Sequence, residues 1–206
     1  MIEVGENLGP AGGFALGFET VLARGAEKVW AVDDDCEAES HCLERLLGAS
    51  APVAVPKQIK PSGEARFPPS WNGPLFDSEV MRTVGLPRTD FFFWAEDSEF
   101  FGRARAADFA VVNVADAVVF NHDAGGRRRG EARNWRIYYE VRNTLEWRLR
   151  LRPKTRHNIW RAARVVIGKA AAIVVFEPHK LRSLHLWWAG VRDFRRRRFG
   201  RLVEPD

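Results

Sequence analysis

The hydrophobic period changes along this chain, and that change limits the fold more than any other feature. Residues 11–120 alternate helical patterns with short runs of β-formers, whereas beyond residue 130 only helical spacing remains. Ala11 to Arg24 places Phe14, Phe18, Val21 and Leu22 on one helical face, and Gly25 stops that helix. Lys28 to Val32 is short, apolar and β-rich, which predicts a buried strand. Glu37 to Leu47 predicts a second helix with Leu43, Leu46 and Leu47 inward, and Val53 to Val55 a second strand ended by Pro56. Residues 56–74, rich in Pro, Gly and Ser, predict a loop. Asp77 or Ser78 can cap a short helix through Val84, and Asp97 to Ala107 predicts another. Phe109 to Val114 and Ala117 to Phe120 predict further strands. Helix and strand alternating in this order predict an α/β fold with crossover connections.

Past residue 130, Trp135, Tyr138, Val141, Leu145 and Leu149 recur at helical spacing, as do Ile159, Ala163, Val166, Ala170 and Val174. Pro153 separates the two sets. They predict two amphipathic helices with Arg outside and Trp inside. A last segment, Leu181 to Arg201, holds Trp187-Trp188 and the run Arg195 to Arg198. The expected division is an α/β domain over 1–130 and an Arg/Trp-rich helical region over 131–206.

At 206 residues and 46% apolar content, the chain can build a core, and intrinsic disorder is excluded. Cys36 and Cys42 alone make no disulfide framework, and without a CxxC pair a zinc module lacks ligands. Residues 1–13 show no apolar signal-like stretch. The longest apolar run, Val165 to Phe176 interrupted by Lys169, falls short of the roughly 20 residues a spanning helix needs. A cytoplasmic, reducing compartment is the expectation.

Charge is segregated. Residues 1–126 carry 10 basic and 20 acidic side chains, and residues 127–206 carry 22 and 7, balances of −10 and +15. The acidic part suits a cation or a cation-bridged phosphate. The basic part suits anionic lipid, or is a set of solvated helix faces. Nucleic acid is not expected, because no helix-turn-helix, RNP or zinc pattern is present and the acidic part repels phosphate.

Asp33-Asp34-Asp35 directly follows the first predicted strand, where open α/β sheets gather ligands. In an extended chain Asp33 and Asp35 point the same way, and paired hard oxygens with a diphosphate suit Mg²⁺ or Mn²⁺. The plainer reading is a solvated acidic turn. A second acidic group, Glu96-Asp97-Ser98-Glu99, follows the aromatic run Phe91 to Trp94. Aromatic surroundings desolvate a carboxylate and suit it to act as a general base. Helix capping by Asp97 or Ser98 is compatible with that role. His122, after the run Val118 to Asn121, is a candidate third metal ligand or an ordinary surface histidine.

These segments together resemble a family 2 glycosyltransferase of the GT-A fold, most similar to its galactofuranosyl- and rhamnosyltransferase branch. The resemblance rests on Glu6 to Phe14, Val29 to Asp35, Trp94 to Phe100, His122, and Tyr138 to Asn143, in that order across about residues 6–150. It implies a partial GT-A domain with a mixed sheet, followed by C-terminal amphipathic helices. It implies Mn²⁺ or Mg²⁺ held by Asp33, Asp35 and His122, with Asp34 toward the donor. It implies Asp97 as the base that deprotonates the acceptor hydroxyl, with Glu96 and Glu99 supporting that site or touching the acceptor. Trp71, Asn72 and Trp94 would face the acceptor or pack in the core. Asn7, Gly12 and Gly13 would form a close-packed helix start near the donor, since the segment lacks P-loop and dinucleotide spacing.

The implied reaction is inverting transfer of a sugar, galactofuranose or rhamnose, from a UDP- or dTDP-sugar to a cell-wall or lipid-linked glycan. The resemblance also implies a peripheral location on the inner face of the plasma membrane, and the basic helices suit an anionic membrane surface. Only Met1 to Gly5 precede the first matching segment, where the family carries a nucleotide-binding strand. The expectation is therefore an N-terminally truncated domain, with an exposed sheet edge that favours self-association. The alternative is an inactive remnant that serves only as a binding or membrane-surface module.

Overall fold

A computed structural model of the protein describes residues 2–122 and 134–205. The chain is mixed α/β and divides into two compact units. One comprises residues 14–87 and 100–129, the other residues 1–13, 88–99 and 130–206. The expected boundary at residues 130–131 lies outside the described residues. The observed division is not sequential, because residues 1–13 and 88–99 group with the C-terminal helices.

The sheet unit contains β1 (Lys28–Trp30), β2 (Cys36–Ala38), β3 (Val53–Ile59), β4 (Ala65–Arg66), β5 (Leu75–Asp77) and β6 (Val111–Asn121). Strand order is β1-β5-β3-β6-β2, with β4 also on β3; among the described residues only β3 and β6 run parallel. Four helices serve this unit wholly or in part: α1 (Gly9–Ala23), α2 (Cys42–Gly48), α3 (Ser78–Val84) and α4 (Glu96–Ala106). Their residues cover both faces of the sheet. Val29, Val53, Val55 and Phe76 join Phe18, Val80, Met81, Phe100 and Phe101 in one core. Ala54, Leu75 and Val119 join Cys42 and Leu46 in the other. Successive residues thus serve opposite cores, as the two-residue period of a strand requires.

The first core is aromatic. Phe76 lies 5.6 Å from Phe100, edge to face, and 6.1 Å from Phe18 between ring centroids. Trp71 joins the same cluster, 4.9 Å from Phe14 and 5.5 Å from Phe100.

Four local expectations change. Glu37 opens no helix: Cys36–Ala38 is strand β2, paired with β6, and α2 begins only at Cys42. Pro56 does not end its strand. It sits where the register slips, Pro56 facing Val114 and Lys57 facing Val118, and a bulge tolerates a residue without an N–H. The same bulge fuses the two expected strands over 109–120 into β6. Within the expected loop over 56–74, Gly63 at φ +79° turns β3 back into β4, and Gly63 N–H donates to Lys60 carbonyl at 2.8 Å.

Residues 31–35 join β1 to β2, which lie at opposite ends of the strand order. The sheet is curled, which shortens the path that these five residues span.

The helical unit is built on α5 (Trp135–Glu146), α6 (Arg156–Phe176) and α7 (Lys180–Arg195). A π-helical turn, Trp147–Leu151, prolongs α5. Ile137, Val141 and Leu145 meet Ala162, Ile173, Leu184 and Trp187 in its core. Gly190 lets α7 approach α5, since a Cβ there would stand 2.7 Å from the Tyr138 carbonyl oxygen. The expected sorting of Arg outside and Trp inside fails at three places. Arg142 is fully buried, while Trp160 and Trp188 are exposed. The inward face of α6 runs through Asn158, Ala162, Val166 and Ile173, so Ile159 and Val174 point to solvent. Among the described residues no helix is long and apolar enough to cross a membrane.

Phe76→Ala should cost about 3–5 kcal/mol of stability, because it opens a cavity among four aromatic rings. Urea unfolding followed by tryptophan fluorescence measures that loss.

Candidate functional site

Ala31 still belongs to the ladder, its N–H donating to Pro74 carbonyl at 3.0 Å. The chain then enters a turn closed by Cys36 N–H to Asp33 carbonyl at 3.2 Å. The segment is therefore not extended, and the turn gathers all three carboxylates of Asp33, Asp34 and Asp35 rather than only alternate ones. One oxygen from each lies within 4.8 Å of the others. Burial, then the negative charge of Asp35, pushes the Asp33 carboxyl above its ordinary range.

Two neighbours orient the far end of this turn. The Cys36 thiol donates to Asp35 Oδ1 at 3.3 Å, and Asn121 Nδ2 reaches Cys36 Sγ at 3.7 Å. Burial and the adjoining Asp35 push the Cys36 thiol up to about 12, so it stays protonated and acts as a hydrogen-bond donor, not as a metal ligand or nucleophile. No sequence motif announced Cys36 or Asn121. Strand pairing between β2 and β6 is what brings them together.

His122 stands in register with Asp35, its backbone N–H donating to the Asp35 carbonyl at 2.9 Å. Its imidazole, however, lies 2.9 Å from Glu37 Oε2, and among the described residues the metal-capable cluster contains only the three aspartates. The ring of the expected third ligand is thus turned to an exposed hydrogen bond with Glu37. The cause is the antiparallel register, which places Glu37 diagonally across from His122.

Trp71 and Asn72 belong to the same unit. Trp71 is buried within the aromatic core and offers no face to a sugar, which corrects its assignment to the acceptor. Asn72 is half-buried, and its carbonyl accepts from Gln58 Nε2 at 3.3 Å.

The helical unit holds the second acidic group. Phe92, Trp94 and Ala95 all have positive φ, at +62°, +76° and +70°. Such backbone is costly for non-glycine residues and persists only where neighbours fix it. Here α5 fixes it. Asn143 Nδ2 donates to the carbonyls of Phe91, Phe93 and Trp94 at 2.9, 2.7 and 3.1 Å. Arg142 donates from Nη2 to Asp90 and Phe91 carbonyls at 3.2 and 3.0 Å, and from Nη1 to Gly200 carbonyl at 2.8 Å. Its Nε donates to Asn143 Oδ1 at 2.8 Å, and its guanidinium lies 5.0 Å from the Tyr139 ring centre.

The strained segment delivers the first turn of α4. Asp97 is half-buried and its carboxylate accepts from the Ser98 N–H, while Glu96 and Glu99 are buried. Trp94 is 44% exposed, and its Nε1 donates to Thr144 Oγ1 at 3.3 Å. At the start of α1, Asn7 Oδ1 accepts from Gly9 N–H at 2.9 Å. Gly9 sits at φ +65°, and a Cβ there would fall 2.2 Å from the Phe92 carbonyl oxygen. Gly12 is buried, and a Cβ on it would crowd Leu8 at 2.6 Å; Gly13 faces open space.

Compared with protein-family models and with curated proteins, the sequence matches none.

Asn143→Ala should lower stability by about 2–3 kcal/mol, since buried carbonyls lose their donor, and should speed amide exchange across residues 92–97. Hydrogen exchange read by mass spectrometry tests both parts. The raised Asp33 pKa sets a pH dependence as well. An acid bound more tightly to its proton in the fold contributes stability that is complete below the ordinary value of 3.8 and is lost as pH rises through the raised folded value. Asp33→Asn should therefore be more stable than the native chain at pH 7 and gain nothing below pH 3.8. Urea midpoints across that pH range show the crossover.

Proposed function

We propose that the chain is a metal-dependent inverting glycosyltransferase of GT-A type, which moves a sugar from a nucleotide-sugar donor to a glycan acceptor. The observation that carries this reading is the turn after β1, where three carboxylates crowd within 4.8 Å and burial already opposes the charge on Asp33. Such a cluster is costly without a cation and favourable with one. Asp33 and Asp35 would hold Mn²⁺ or Mg²⁺, and Asp34, the most exposed of the three, would face the donor. The ion, when bound, supplies positive charge against the leaving diphosphate.

The remaining roles fall to side chains. The Cys36 S–H fixes one Asp35 oxygen and leaves the other free to ligate. Asp97 would take the proton of the attacking acceptor hydroxyl. Support for this is local: its carboxylate is tethered by the Ser98 N–H at the first turn of a helix, and the strained segment before it is pinned by Asn143. Trp94, exposed and held through its indole N–H, would stack against a sugar ring. A UDP- or dTDP-activated galactofuranose or rhamnose remains the donor implied by the resemblance.

Calorimetric titration with Mn²⁺ should show one site, weakened at least about tenfold by Asp33→Asn or Asp35→Asn and unchanged by Asp97→Asn. Transfer or slow hydrolysis of a UDP- or dTDP-sugar should fall at least about a hundredfold in Asp97→Asn. Equal Mn²⁺ affinity in the native chain and both triplet variants overturns the metal site. Metal binding with no turnover of any donor leaves a binding module and overturns the transfer.

A further inference from the structure

The outward face of α6 carries an apolar stripe that is symmetric about its middle. Trp160, Ile167 and Val174 follow at seven-residue intervals, 58%, 67% and 52% exposed. Seven residues make nearly two helical turns, so the three share one stripe with Ile167 at its centre. Ala163, Ala170 and Ala171 fill the positions between them. The only charge among residues 165–176 is Lys169, which turns inward to pair with Glu140 on α5.

Gly168 stands beside Ile167. A glycine in mid-helix costs roughly 0.5–1 kcal/mol against alanine. The helical unit itself does not require it, because among the described residues a Cβ there would meet no atom within 4 Å. With the alanines, it thins the middle of the stripe enough for another backbone to come close.

Charge along α6 is lopsided. Arg156, His157, Arg161 and Arg164 lie in its first half, with no acidic residue in the first turn, no basic one in the last, and Glu177 as C-cap. Cations at a helix N-terminus oppose the macrodipole, so each end of α6 lacks its complement.

We infer that α6 pairs antiparallel with α6 of a second copy of the chain, about a two-fold axis at Ile167. Ile167 then meets its own counterpart, and each Trp160 lies over Val174 of the other copy. The arginine-bearing first turn of each helix comes alongside the last turn of the other, where Glu177 and the terminal carbonyls are negative. Like ends stay apart. Arg156 is eleven residues from Ile167 and Arg161 six, so the two copies of each stand about 33 and 18 Å apart along the axis, beyond the roughly 8 Å Debye length. Arg164, nearest the axis, leans back over Trp160 of its own helix, 5.4 Å from the ring centre. With Ile159 and Val175, 50% and 63% exposed, the stripe leaves on the order of 500 Å² of apolar surface per copy. That is the upper range for a patch on a monomer, and with the alanines it approaches the roughly 800 Å² per partner of a standard interface. The surface lies on the helical unit, so it differs from pairing at an exposed sheet edge, and it does not depend on the transfer reaction.

Sedimentation of the full chain at about 50 µM should give a dimer, twice 23.4 kDa. Ile167→Asp should sediment as the monomer, since the two-fold axis sets two carboxylates together. Gly168→Leu should raise the dimer dissociation constant at least about tenfold, while circular dichroism shows helix content kept or increased. Mild oxidation reads the orientation. Ile167→Cys should cross-link to itself, and Trp160→Cys to Val174→Cys but not to itself, with the native chain as the background from Cys36 and Cys42. A native monomer overturns the proposal, whether or not it floats with anionic vesicles. A dimer that survives Ile167→Asp overturns it by placing the contact elsewhere, as at a sheet edge. Unchanged affinity in Gly168→Leu overturns the close approach, and self-linking of Trp160→Cys overturns the antiparallel arrangement.

Discussion

The buried guanidinium of Arg142 organises the helical unit. Its five N–H groups meet the carbonyls of Asp90, Phe91 and Gly200, the Asn143 amide oxygen and the Tyr138 hydroxyl. Aromatic faces of Tyr138, Tyr139 and Phe199 lie about it at 5.2, 5.0 and 5.1 Å. A charge out of water is tolerable only when every donor is satisfied, so this arrangement leaves little room for alternatives. Its partner Asn143 holds the next carbonyls, and the two together fix the path on which Phe92, Trp94 and Ala95 take positive φ. The direction in which α4 starts, and with it the position of Asp97, follows from these hydrogen bonds. Tyr138 extends the network, its hydroxyl donating to Asp193 at 3.0 Å and pushed up to about 12 by burial.

In the sheet unit the corresponding constraint is the short link between β1 and β2. These strands end the strand order on opposite sides, and five residues must join them. With the sheet curled, those five residues need not be stretched, and the aspartates fold into the turn closed by Cys36 N–H on the Asp33 carbonyl. Electrostatic crowding at the triplet is thus a product of topology as well as of composition. The β2–β6 register then decides which groups stand beside it: the Cys36 thiol and the Asn121 amide near Asp35, the His122 backbone but not its ring.

The parts legible in the sequence were those carried by local periodicity. The helix after Gly9, the strand at Lys28, the short helix behind Asp77 and the helix through Phe100 all follow from spacing within a dozen residues, although the side chain of Asp77 makes no capping hydrogen bond. Cys36 to Ala38 was not legible, because its strand character exists only through pairing with residues more than eighty positions away. Pro56 misled for the same reason: its missing N–H matters only where the ladder has no bulge. Of the candidate site, the aspartate triplet and the acidic turn of α4 could be picked out, since their chemistry is contiguous. The burial of Trp71 and the side chain of His122 could not, because a ring's accessibility is decided by what packs across from it. On α6 the period was right and the phase wrong by about one residue, which exchanged Ile159 and Val174 for Asn158 and Ile173.

The bonds that Arg142 makes also set an order in time. One side chain draws on carbonyls near residues 90 and 200, and Arg201 in turn donates to the Asn7 carbonyl at 3.0 Å. Contacts so remote along the backbone form slowly, and the network is complete only once residues 200 and 201 are present to join it. Until those bonds form, the Arg142 guanidinium keeps the water that the fold later replaces with carbonyl oxygens.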